Sequence, residues 1–309
     1  MRILGLLIVS CGWLAPVYAD DYALIIGVNH CPEFRLPDGS KPRPLRGAES
    51  DAQAIAGLLK SKYDFSAERI TQLTGDQANL KQIRTAFKTL SEQLQPTDRL
   101  VLYYSGHGTQ LDDRKPFDEE DELDEALCLY DAKADGSNLL LDDELGRWLD
   151  DLPAGAVTIL LDCCHAGTGH KELDDDIQPR FLPIAHRETA SALKQAPWQD
   201  VRGSQKSIAR RTAAFFACQA NQQAYERRLP RGDKQVPAGQ FTHFLIAGLE
   251  TGAADLNTDG AVTQEEVQKY LAKQLDESFN ARREDQVDQQ QPALTATRPE
   301  LNIFFIEVR

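Results

Sequence analysis

Apolar positions along the chain come in two kinds of run, and the two alternate. Tyr22–Val28 (YALIIGV), Arg99–Ser105 (RLVLYYS), Val157–Asp162 (VTILLD) and Ala213–Ala217 (AAFFA) are short and nearly unbroken in apolar residues. Such runs predict strands covered on both faces. Ile70–Leu73 and Ala126–Tyr130 predict two shorter strands. Between them Asp51–Lys60, Leu80–Leu94 and Asp142–Leu152 carry Ala and Leu at helical spacing, and Pro96 and Pro153 stop the last two. Farther on, Phe241–Leu249 predicts a helix and Leu301–Val308 (LNIFFIEV) a final strand. Strands that alternate with helices predict an α/β fold, with a mostly parallel central sheet flanked by helices. One stretch breaks the rhythm. From Gly169 to Arg211 the text is polar and aperiodic, holds Arg180, Arg187, Lys194, Arg202, Lys206, Arg210 and Arg211, and predicts a long flexible connection.

The opening residues follow another pattern: Arg2, an apolar run, then Val17-Tyr18-Ala19. This is the layout of a secretory signal peptide cleaved after Ala19, and it predicts a periplasmic or secreted protein. The run is short and broken by Pro16, too poor for a transmembrane span. Ile8-Val9-Ser10-Cys11 loosely resembles a lipoprotein box, which leaves lipid anchoring as a minor alternative. The chain then divides into a leader at 1–19, an α/β domain at 20–250 and a C-terminal part at 251–309. A formal net charge of −14 disfavours nucleic acid as a partner, because phosphates are repelled. Export makes the cysteines disulfide candidates, but Cys31, Cys128, Cys163, Cys164 and Cys218 are odd in number, so at least one thiol stays free.

Chemistry gathers at the carboxyl ends of strands in α/β sheets. Two residues of catalytic type stand there: His107, just past Arg99–Ser105, and Cys164, just past Val157–Asp162. A thiol becomes a nucleophile when a neighbouring base takes its proton, and backbone N–H groups around it can hold an oxyanion. Taken singly, each residue is more often bland than catalytic. Two at strand ends, each flanked by glycine, form a candidate pair.

Ser105-Gly106-His107-Gly108 together with Asp162-Cys163-Cys164-His165-Ala166-Gly167 resembles the paired signature of the caspase-like cysteine peptidases, the metacaspase-like bacterial branch in particular. Further landmarks follow in the family's order, among them Asp124-Glu125, Phe216–Gln223 and Gly239-Gln240-Phe241-Thr242. The resemblance implies a caspase-like fold in which His107 is the general base and Cys164, not Cys163, the nucleophile. It also implies that Asp51 and Asp162 form a pocket for the side chain before the scissile bond. Carboxylates read Arg or Lys, so peptide or protein substrates cut after those residues are expected. Without the resemblance, Asp51 reads as a helix-start aspartate facing the dipole. Gly47-Ala48-Glu49-Ser50-Asp51 departs from the family's usual Gly-Cys-x-Asn-Asp, which leaves the pocket's shape open. If the enzyme cuts after basic residues, the stretch from Gly169 to Arg211 offers several bonds for autoprocessing.

Asp255 to Glu266 reads as the calcium loop of an EF-hand. Oxygen donors fall at Asp255, Asn257, Asp259, the Ala261 carbonyl, Thr263 and Glu266, with Gly260 at the turn. A second, weaker calcium candidate implied by the resemblance combines Asp124, Asp142 and Asp143, beside the acidic run Phe117–Glu125; one of Asp174, Asp175 or Asp176 could add a ligand. The expected function is therefore a calcium-assisted cysteine endopeptidase. A catalytically silent, calcium-responsive binding module of the same fold is the competing reading, and a Cys-His acyl transferase such as a ligase shares every motif.

Overall fold

The computed structural model describes residues 19–112, 123–164, 177–184, 210–219, 222–280 and 290–304. The predicted leader up to residue 18, the acidic run at residues 117–122 and Asp174–Asp176 lie outside the described residues. The apolar runs become the middle of a six-stranded sheet. Strand β1 (Asp21–Gly27) pairs with β2 (Ile70–Thr74) on one side and with β3 (Arg99–Ser105) on the other; β7 (Ala156–Asp162) and β9 (Arg211–Phe216) follow, all parallel. Strand β12 (Ala293–Ala296) closes the β9 edge antiparallel, giving the order β12-β9-β7-β3-β1-β2. Every residue of β7 is buried, as expected for a central strand.

The two-residue pleat sorts each strand's side chains into separate cores. Leu24 and Ile26 of β1 face helices α2 (Leu80–Gln93) and α3 (Asp142–Asp151). Ala23 and Ile25 face α1 (Ala48–Lys62), α4 (Gln240–Thr251) and α5 (Gln264–Asn280). A small antiparallel sheet of β4 (Gly108–Asp112), β5 (Leu123–Cys128) and β6 (Leu139–Leu141) grows from the end of β3. A second one joins β8 (Ile177–Pro179), β10 (Tyr225–Arg231) and β11 (Lys234–Gly239), with Gly232 at φ +60° in the hairpin turn.

Two expectations need correction. Residues 301–304 are not part of a strand: Ile303 and Phe304 insert into the core beside α5, held by a bridge between Thr263 and Asn302, by the Ile303 amide on the Val262 carbonyl and by the Thr158 hydroxyl on the Ile303 carbonyl. Residues 305–308 of the predicted strand lie outside the described residues. The edge strand is instead the less apolar ALTA of β12. The connection between Gly169 and Arg211 is not unstructured throughout, because residues 177–184 form β8 and its ordered continuation. Among the described residues no helix is long and apolar enough to cross a membrane. Cys31, Cys128, Cys163, Cys164 and Cys218 are all buried free thiols.

Candidate active site

Strands β3 and β7 lie side by side with Ser105 opposite Asp162. Neighbouring strands are about 4.8 Å apart. The residues that follow, Gly106-His107 and Cys163-Cys164, therefore leave the sheet together at its carboxyl edge. The His107 backbone is pinned there: its carbonyl accepts from the Cys128 amide at 2.9 Å and from the Tyr104 hydroxyl at 2.7 Å. A Cβ on Gly106 would collide with that Tyr104 ring, so the turn requires glycine. The thiols separate by face. Cys163 joins the core under α2 and α3, whereas Cys164 joins the core under α1 and α4.

Burial pushes the Cys164 thiol up to about 12, opposed by backbone hydrogen bonding from Ala224 and by the charge of Arg180, and the thiol faces the Ala224 carbonyl at 3.9 Å. Burial also drives His107 down to about 3, helped by the Arg180 charge and partly opposed by the Arg43 backbone. Beyond that Arg43 backbone contact, neither imidazole nitrogen has a hydrogen-bond partner among the described residues. The pair thus rests as a neutral thiol and a neutral imidazole with a lone pair to offer. Proton transfer in such a site accompanies attack rather than preceding it.

The structure brings Asp51 and Asp162 together around the side chain of Arg180, which is fully buried. Asp51 does stand at the helix start, in the first turn of α1, and its side chain is fully buried against Arg180. Arg180 Nη2 is 2.7 Å from Asp51 Oδ2 and 3.5 Å from Glu226 Oε2, while Nη1 is 3.2 Å from Asp162 Oδ2. Nη1 also donates to Ser105 Oγ at 2.5 Å and to the Asp162 carbonyl at 3.0 Å. The carboxylates are themselves held: Asp51 Oδ2 accepts from the Gly239 amide, and Asp162 Oδ2 from the Thr242 amide and hydroxyl. Burial raises the Asp51 carboxyl to about 7, opposed by Arg180 and reinforced by Asp162. For Arg180, burial acts downward, but Asp162, Asp51 and Glu226 outweigh it and hold the guanidinium above its ordinary value. A buried charge is tolerable only when paired and hydrogen-bonded, and this one is.

Glu226 escaped the sequence reading. It sits in the polar hairpin strand β10 and accepts from the amides of Arg46 and Gly47, both at 2.7 Å, fixing the entry to α1. Gly239 also builds the pocket, since a Cβ there would collide with Asp162 Oδ2 and lie 2.7 Å from Arg180 Cζ. Only the ordered landmark Gly239–Thr242 pointed to that region.

The backbone around Arg180 is equally fixed. Its amide donates to the Ala224 carbonyl at 2.9 Å, and its carbonyl accepts from Gly108 at 3.0 Å and from Cys164 at 3.2 Å. Upstream, β8 lies antiparallel on β10 with Pro179 opposite Tyr225. Downstream, the Leu182 amide donates to the Gly108 carbonyl at 2.9 Å, and Thr109 Oγ1 donates to the Leu182 carbonyl at 2.6 Å.

The two calcium candidates lie elsewhere. Asp255 to Glu266 joins α4 to α5, and Gly260 takes φ +89° at the predicted turn. The loop's donors bond to its own amides: Asp255 Oδ2 accepts from Gly260, Asn257 Oδ1 from Asp259 and Asp259 Oδ1 from Ala261. Glu266 accepts from Leu256, Asn257 and Thr263, and these bonds outweigh burial to lower its pKa. The donor order and the turn fit a cation, provided these carboxylates exchange amide partners for it. At the second candidate, Asp124 sits in β5, and Asp142 and Asp143 open α3, directly after β6, which pairs with β5. Among the described residues no three His, Cys, Asp or Glu side chains are gathered closely enough to hold a metal.

Comparison with known proteins agrees with this geometry. Residues 20–302 match the peptidase family described as Caspase domain. Metacaspase-1 of Saccharomyces cerevisiae is 38% identical over 154 residues, covering 47% of this chain and 33% of that protein. Metacaspase-1 of Cryptococcus neoformans is 29% identical, covering 92% of this chain and 64% of that protein. The chain thus spans about a third to two thirds of the length of these relatives. A solved structure of a Geobacter sulfurreducens protein, 22% identical, superposes with a TM-score of 0.59 over 90% of this chain and 93% of that one, and so shares its fold. With a family match that takes in β1 to β12 and the loops bearing His107 and Cys164, the chain belongs to the caspase-domain family of cysteine peptidases.

Proposed function

We propose that this protein is a cysteine endopeptidase that hydrolyses peptide bonds after Arg or Lys, with Cys164 as nucleophile and His107 as general base. The observation that carries the specificity is the buried guanidinium of Arg180 among Asp51, Asp162 and Glu226. A cavity with three carboxylates at its base favours a cation and repels an acidic side chain. In the reaction the thiol proton passes to His107 as Sγ attacks the carbonyl carbon. The amides of Gly108 and Cys164 receive the developing oxyanion. His107 then protonates the leaving amine, and water hydrolyses the thioester with His107 again taking the proton.

Hydrolysis of fluorogenic peptides ending in Arg, Lys or Asp, by wild type and Cys164→Ala with and without calcium, tests this reading. Turnover of the Arg and Lys peptides by wild type alone is expected. Turnover of only the Asp peptide would refute the pocket assignment, and none at all would leave the silent binding module.

The loop from Asp255 to Glu266 is proposed to bind calcium, supported by its donor order and by the Gly260 turn. Asp124, Asp142 and Asp143 are proposed as a weaker second site. Export to the periplasm or beyond is proposed from the leader-like opening of the sequence.

A further inference from the structure

We propose that the Arg180–Phe181 bond of this chain is the first substrate of its own Cys164, cut within the same molecule. The inference rests on the reading of Cys164 and His107 as the catalytic pair. It adds which bond the site receives and what the uncut chain does to the site.

Four contacts place that bond, and each does what a substrate contact must do. The Arg180 side chain fills the carboxylate pocket, leaving no room for a second cation. Its carbonyl oxygen takes two convergent amide donors, Gly108 at 3.0 Å and Cys164 at 3.2 Å. Two amides on one carbonyl polarise it and stand ready for the negative charge of a tetrahedral intermediate. Because one of those amides belongs to the residue bearing the thiol, the carbonyl is anchored on the backbone of the nucleophile itself. Residues 177–180 are extended on β10, through the pairing of Pro179 with Tyr225 and the Arg180–Ala224 hydrogen bond, as a peptide is when it adds a strand to a sheet edge. Beyond the bond, Leu182 is fastened at its amide by Gly108 and at its carbonyl by Thr109. Clamped on both sides, the segment cannot slide to offer another bond. The nearby basic residues are spoken for differently: Arg210 donates to the Leu149 carbonyl and Arg211 begins β9.

Holding the reacting groups within one molecule replaces a bimolecular encounter with an arrangement worth effective molarities of order 10⁵–10⁸ M when well oriented. In the step itself the Cys164 proton moves to His107 and a Sγ–carbon bond forms at Arg180. The bond from that carbon to the Phe181 nitrogen breaks as His107 returns its proton to that nitrogen. Water then cleaves the thioester, leaving a carboxylate on Arg180, an amine on Phe181 and a free thiol. Until then the pocket is filled by the chain itself, so the uncut protein is blocked toward outside substrates.

Purified wild type, incubated with millimolar calcium or with chelator, is followed by intact mass and by sequencing of new amino termini. The expected result is a fragment beginning at Phe181 that is absent from Cys164→Ala. Its half-time should be unchanged over a tenfold dilution. Arg180→Gln should stay uncut at this bond. Since that change disturbs a buried ion cluster, Phe181→Pro provides a second variant. The bridge to Gly108 uses the amides of Gly108 and Leu182, not that of Phe181, so proline leaves Arg180 seated while resisting cleavage. Phe181→Pro should remain intact and hydrolyse an Arg peptide at least tenfold more slowly than processed wild type. An intact Arg180–Phe181 bond in wild type that hydrolyses the Arg peptide would overturn this inference and leave the peptidase reading standing. A half-time that lengthens on dilution would overturn cleavage within one molecule. No hydrolysis of either bond would overturn both readings.

Discussion

Replacing Asp51 by Asn separates charge from shape in the pocket more cleanly than any other single change. Three donors converge on one oxygen, Oδ2: Arg180 Nη2 at 2.7 Å, the Gly239 amide at 2.9 Å and Ser105 Oγ at 3.3 Å. The other oxygen, Oδ1, has no hydrogen-bond partner among the described residues. An Asn side chain can therefore keep its carbonyl where Oδ2 stands and put its NH2 where Oδ1 stands, losing no acceptor. What is lost is the charge. Hydrogen bonds to charged groups contribute about 1.5–3 kcal/mol against about 0.5–1.5 kcal/mol for neutral ones. With Asp162 and Glu226 still present, the loss should be about 1–2 kcal/mol, or roughly five- to thirtyfold in kcat/KM at 1.4 kcal/mol per tenfold. The pH profile adds a second readout. Asp51 lies near 7 with an arginine beside it, and losing that cation raises it further. Arginine binding should thus strengthen as pH climbs upward from about 7, and Asp51→Asn should flatten that limb. The assay is initial rates on processed protein for Arg, Lys and an uncharged isostere between pH 5.5 and 9. An unchanged kcat/KM for Arg, or an equal loss for the uncharged peptide, would refute the claim that this carboxylate reads charge.

Gly239→Ala should depress hydrolysis of Arg peptides by more than a hundredfold, because the added methyl collides with Asp162 and crowds the guanidinium; a near-normal rate would mean the pocket lies elsewhere. Cys163→Ala should retain activity and cost stability, measured by urea unfolding, whereas Cys164→Ala should abolish activity with little change in fold. His107 is held neutral to about 3 against about 6.5 when unfolded, so its contribution to stability is complete above about 6.5 and is lost as pH falls toward 3. A His107→Gln variant should accordingly lose less stability between pH 6.5 and 4 than wild type does, as read by denaturant midpoints. Calcium should raise the melting temperature of wild type, and Glu266→Ala, which also removes the bonds to Leu256, Asn257 and Thr263, should abolish that shift.

The parallel strands were legible because burial on both faces demands unbroken apolar text, and β3 begins and ends where the run RLVLYYS does. The dyad candidates followed from position after such strands, and the carboxylates Asp51 and Asp162 from the family's motif order. The rest depends on contacts between distant segments. The β10–β11 hairpin, YERRLPRGDKQVPAG, has one face over the pocket and carries too few apolar residues to announce itself. Glu226 therefore looked like any surface charge. Strand β8 is three residues long, IQP, and its ordering comes from pairing with β10 rather than from its own propensity. Arg180 stood among eight Lys and Arg residues of one polar stretch. Only the register of that pairing distinguishes it.

The division of Cys163 and Cys164 between the two cores makes the choice of nucleophile a matter of parity. Successive residues leaving a strand alternate in direction, so a shift of one place along β7 would carry the other thiol toward the pocket. Asp162, opposite Ser105 in the pairing with β3, would leave the guanidinium in the same movement. Insertions before Ala156 can be absorbed by the Pro153–Gly155 turn, but one inside β7 exchanges thiol and carboxylate together. Reactivity at this site is written in an odd–even count along a strand as much as in the identity of any residue.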